Sequence, residues 1–197
     1  MNKLKVARII SDIFIPPTIS FILVLYFSIN YSNSITEGFL NFFILFTAVV
    51  FLPIIFFIYQ RKMGRIINND AVIKEERTDV YLFSLSVFTI TYIILILLKT
   101  AFMFRIFILV YILSTGGVFL INKNFKISVH TLTAAGASAF FYFSSFTLMM
   151  IFLILTLLIM WSRVKLNVHT KTEVVAGFLY GFFLTFLIIN GALFYAP

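Results

Sequence analysis

The sequence predicts an all-α, polytopic integral membrane protein, a helical bundle of about six or seven transmembrane helices. Composition points there first: of 197 residues, 62% are hydrophobic and 11% charged, against about 25% charged in a soluble domain. This balance excludes an ordinary soluble protein, and it excludes disorder, which needs low hydrophobicity and high charge. Segmentation points the same way. Uncharged stretches recur at about the 17–25 residues that a helix needs to cross a bilayer.

Lys3, Lys5 and Arg8 precede the first apolar run. Asp12 and the Pro16-Pro17 pair interrupt it, and no small-residue cleavage site follows. The first span, from about Ile13 to Tyr31, is therefore an anchor and not a cleaved signal, with the prolines kinking or delaying its helix. The next uncharged stretches run from about Gly38 to Tyr59, Val80 to Leu98 and Ile106 to Ile121. Ile127 to Trp161 is 35 residues without a charge. One helix of that length would measure about 52 Å at about 1.5 Å per residue, too long for a hydrocarbon core of about 30 Å. Two short helices turning near Ser144-Ser145 fit instead. The last span starts at Val174, which makes seven, and residues 1–197 read as a single transmembrane domain.

With seven spans, one face of the membrane collects Lys3, Lys5, Arg8, Arg61, Lys62, Arg65, Lys74, Arg77, Lys123, Lys126, Arg163, Lys165 and Lys171. The other face has Lys99 and Arg105. Because Lys and Arg gather on cytoplasmic loops, a multi-pass protein of the cell membrane is expected, its N-terminus and polar loops in the cytoplasm. The formal charge of +8 then reports topology and attraction to anionic head groups. No basic soluble domain is present to bind nucleic acid. Cysteine is absent, which excludes disulfides and thiolate chemistry.

The two histidines, His130 and His169, fall at predicted span ends on that same face. Histidine works as acid, base or nucleophile near neutral pH. Around the second the chain reads Ser162-Arg163, five residues, His169, three residues, Glu173. If the last helix starts near His169, then His169 and Glu173 are i and i+4 on one face. The carboxylate can hold one imidazole nitrogen and leave the other to attack. Arg163 supplies a planar fork of donors suited to phosphate, and a helix start adds N–H groups suited to an anion. An arginine, a nucleophile and an orienting acid describe phosphoryl transfer through a phosphohistidine.

The pattern S-R-x(5)-H-x(3)-E resembles the third signature of the type-2 phosphatidic acid phosphatase superfamily, the membrane lipid phosphate phosphatases, with Glu173 where the family has Asp. The family's second signature, P-S-G-H, is matched by Ser128 and His130 but not by its Pro and Gly. The first, K-x(6)-R-P, has its nearest counterpart in Lys74 and Arg77, three apart and without the proline. The resemblance covers about residues 74–181. It implies that His169, oriented by Glu173, attacks phosphorus and that His130 protonates the leaving group. Arg163, Arg77, Lys74 and Ser128 would hold the phosphate. The substrate would be a lipid phosphate or diphosphate entering from the surrounding membrane lipids, and the scheme needs no metal or cofactor.

Two rival classes remain. Magnesium-dependent intramembrane prenyltransferases and CDP-alcohol phosphotransferases need dense aspartate clusters. Here Asn69, Asp70 and Asp79 hint at half a site, and no second cluster exists among the seven acids. A non-catalytic lipid-phosphate binding or transport protein would tolerate the incomplete first two signatures. Gly116-Gly117, Ala134–Ala137 and Gly177-x-x-x-Gly181 are small-residue patches that let helices approach closely, and the Ala134–Ala137 patch is placed to pack the His130 helix on the last span.

Overall fold

Apolar runs become helices wherever no proline or cap interrupts them, since in lipid the backbone must satisfy its own hydrogen bonds. The computed structural model describes residues 2–194, and among these are nine α-helices and no strand. The all-α bundle expected from composition is what forms. Contacts divide the chain into two compact units, residues 20–124 and residues 1–19 with 125–197. The span of 74–181 that carries the family resemblance therefore draws on both.

Helices α1 (Lys3–Ile13) and α2 (Pro16–Asn30) are separated by a break just before the proline pair, as a residue preceding proline disfavours helical backbone. Among the described residues, five helical runs are long and apolar enough to cross a membrane, or six if α1 with α2 is one bent span.

In the unit of residues 20–124, α3 (Ile35–Phe46) and α4 (Leu52–Lys62) are joined by a π-helical turn, Thr47–Phe51, into one 28-residue run. Pro53 explains the wide turn, because in a regular α-turn its ring would meet the carbonyl four residues back. A short 3-10 turn, Glu75–Arg77, leads into α5 (Thr78–Leu97), and α6 (Phe102–Asn122) follows. Ring stacking of Phe56 on Phe83, centroids 4.1 Å apart, joins α4 to α5. The Tyr111 hydroxyl is 2.8 Å from Ser20 Oγ, tying α6 to α2.

The other unit contains α1, α7 (Val129–Tyr142), α8 (Phe146–Lys165) and α9 (Lys171–Phe194). The turn expected near Ser144-Ser145 is present, with Ser145 Oγ capping α8 through the Leu148 amide at 3.3 Å. Its first arm, however, is only 14 residues, about 21 Å long at about 1.5 Å per residue. It is too short to cross alone, which removes one of the seven expected spans, and α2, with 15 residues, counts as another only if it is one bent span with α1. Its small residues let it sink between its neighbours, and Ala134, Ala135, Ala137 and Ala139 are fully buried. Helix α9 meets it at bare backbone. A Cβ on Gly181 would lie 2.2 Å from the Leu132 carbonyl oxygen, and one on Gly136 3.1 Å from Thr185 Oγ1. The small-residue patches thus pack the His130 helix on the last span, as their spacing suggests.

Candidate functional site

Helix α8 ends where Asn167 turns to a φ of +55°, a left-handed conformation that asparagine tolerates better than most side chains. The Asn167 amide donates to the Val164 carbonyl at 3.0 Å, and the Val168 and His169 amides both reach the Arg163 carbonyl at 3.3 Å. This is a Schellman-type cap with one further amide attached. The spacing from Arg163 to His169 is therefore the length of a helix cap, and the backbone of the first residue holds the second in place.

Thr170, three residues after Asn167, caps helix α9 in a capping box. The Glu173 amide donates to Thr170 Oγ1 at 3.2 Å, and the Thr170 amide donates to Glu173 Oε2 at 3.4 Å, so two otherwise orphaned donors are satisfied reciprocally. The same Oε2 stands 2.5 Å from His169 Nδ1. The carboxylate sits at the positive end of the helix, where it is favoured. An imidazole that donates Nδ1–H to a carboxylate keeps its lone pair on Nε2, the tautomer required for attack from that nitrogen. The His169 side chain is 1% exposed and that of Glu173 15%.

Arg163 is itself only 1% exposed, and its Nη1 donates to Ser11 Oγ, also buried, at 2.6 Å. A guanidinium stays charged when taken from water, and that is costly unless it is well hydrogen-bonded. Helix α1 thus supplies a partner for the arginine of the motif. On the other side, the segment before α7 is stitched to the start of α9. Lys126 Nζ donates to the Val168 carbonyl at 2.7 Å, and the Ser128 amide to the Glu173 carbonyl at 3.3 Å. Gly177 permits this approach, since a Cβ there would lie 2.6 Å from the Ser128 carbonyl oxygen.

Arg163, Ser128, His169 and Glu173 therefore converge at one end of this unit. Ser128 is fully buried as the N-cap of α7, its Oγ 3.5 Å from the Thr131 amide and 3.1 Å from Thr131 Oγ1. His130 is half-buried in the first turn of α7. Lys74 and Arg77 belong to the unit of residues 20–124 and are engaged within it. Arg77 is buried and donates from Nε to the Ala71 carbonyl at 2.8 Å, and Lys74 Nζ donates to the Lys123 carbonyl at 2.8 Å. Among the described residues, no three His, Asp or Glu side chains group as metal ligands would.

Three residues escaped the sequence reading. Thr170 was legible as the T-x-x-E start of an apolar helix. Lys126 stood only in the charge count, and Ser11 carries no local signal at all. Compared with protein-family models, with curated proteins and with solved structures, the chain matches none of them.

Proposed function

We propose that this protein is a membrane-embedded phosphatase acting on lipid phosphates or diphosphates, with a polyprenyl diphosphate, phosphatidic acid or phosphatidylglycerol phosphate as candidate substrates. One observation carries the reading: the 2.5 Å contact of His169 Nδ1 with a glutamate whose carboxylate is already held by a helix cap. An imidazole so oriented is an activated nucleophile. In the proposed reaction Nε2 of His169 attacks phosphorus, the bond to the leaving oxygen breaks, and His130 protonates that oxygen. Water, deprotonated by His130, then cleaves the phosphohistidine and releases phosphate. Arg163 stabilises charge on the equatorial oxygens. The scheme calls on no metal.

Lys126, Arg163, Lys165 and Lys171 gather where the segment before α7 meets the junction of α8 and α9, and this basic cluster supports a site at the cytoplasmic edge of the cell membrane, where lipids made inside the cell would be substrates. Cysteine accessibility at position 165 from outside the cell would overturn that orientation.

A second reading, a lipid-phosphate binding protein without turnover, draws on the burial of His169, which a substrate must uncover before attack. Phosphate release by the detergent-purified chain in EDTA, with His169→Ala beside it, decides between them. Release that persists in EDTA and vanishes in the variant supports the phosphatase. No release from any of the three lipids supports the binding protein, and metal-dependent release indifferent to His169 excludes both.

A further inference from the structure

A groove of about 640 Å³ opens at the surface between α1, α8 and α9. Leu4, Trp161, Val164 and Val175 form its apolar walls, and Lys165 and Lys171 line it as well. Polarity is graded along it. Lys165 ends α8, and Trp161 lies one turn deeper in the same helix. Lys171 begins α9, and Val175 lies one turn deeper. Both lysines are exposed, and among the described residues neither makes an ion pair or a side-chain hydrogen bond. Glu173, the acid nearest in sequence, is committed to His169 and the Thr170 cap.

The order of groups matches an amphiphile: cations at the helix ends, then an interfacial tryptophan, then apolar wall. We propose that this groove is a docking site for an anionic phospholipid of the bilayer, its phosphate between Lys165 and Lys171 and its acyl chain along Trp161 and Val175. The lysines complement the negative head group, and aliphatic and aromatic side chains at interfacial depth complement the tail. A zwitterionic lipid would bring a second cation against the two lysines and be disfavoured. Free phosphate would forgo the tail. His169 does not line the groove, and the proposal stands whether or not the chain hydrolyses anything.

Native mass spectrometry of the detergent-purified full chain tests this with phosphatidylglycerol, phosphatidylcholine and inorganic phosphate as probes. The expected result is retention of phosphatidylglycerol over phosphatidylcholine by roughly thirtyfold, as two lysines beside an anionic lipid would give. The double variant Lys165→Gln/Lys171→Gln should lose that preference, while Lys99→Gln, which lies outside the groove, keeps it. Both lysines are exposed and lack side-chain partners, so the double variant should fold, and its thermal unfolding checks this. The wild-type comparison of the two lipids stands even without a variant. Equal retention of the two lipids, an unchanged preference in the double variant, or displacement of the lipid by equimolar inorganic phosphate would each overturn the proposal.

Discussion

One oxygen of Glu173 serves two partners: Oε2 lies 2.5 Å from His169 Nδ1 and accepts the Thr170 amide at 3.4 Å. The orientation of the imidazole is thus coupled to the start of helix α9. A glutamate at the third helical position can reach back to the cap amide. This gives a physical reason for a glutamate, long enough to reach back, at position 173.

Glu173→Gln should separate the two duties. Glutamine still closes a capping box, so thermal unfolding should stay near the wild-type temperature. It cannot stabilise an imidazolium, so the proposed phosphate release should fall by about 10²-fold or more, within the range that acid–base positioning contributes. Equal loss of activity and folding would make Glu173 purely structural.

Thr170→Ala removes a cap hydroxyl without touching His169. A loss of about 1 kcal/mol in stability is expected, read as a lower denaturation midpoint, and Thr170→Ser should restore it. A variant as stable as wild type would mean that the capping box contributes nothing.

Ser11→Ala withdraws an acceptor from the buried Arg163. Stability should fall by about 1–3 kcal/mol, the cost of losing a hydrogen-bond partner in the interior. If Arg163 also grips substrate phosphate, KM for the lipid should rise. An unchanged KM with reduced stability would confine the serine to holding α1 against α8.

Gly181→Ala should be the most damaging of the glycine substitutions, because its Cβ would lie 2.2 Å from the Leu132 carbonyl oxygen and backbone cannot yield as a flexible side chain can. Overpacking of this kind costs about 1–3 kcal/mol and occasionally more. Gly191→Ala, with nothing within 4 Å of the added carbon, should be tolerated. Size-exclusion profiles and unfolding temperatures of the pair check the contrast.

What was legible in the sequence was local. Caps such as Ser145 on Leu148 and Thr170 with Glu173 span three residues, so residue order alone encodes them. The membrane character follows from composition. The turn near Ser144-Ser145 followed from length, since one helix could not fit. The short spacing from Arg163 to His169 was legible as a motif, but its basis as a helix cap was not, because φ at Asn167 is set only when the chain folds.

By itself, then, the sequence determined the helical class, the positions of the apolar runs, the caps and the His169–Glu173 register, all governed by neighbours within about a turn of helix. The tertiary structure alone decided that Ser11 meets Arg163 across 152 positions, that α7 stays short against the glycines of α9, and that the side chains of Lys74 and Arg77 are engaged within residues 20–124. The physical reason is range. Capping energies act between near neighbours, whereas burial, close backbone approach and the partner of a buried guanidinium depend on which distant surfaces are brought together.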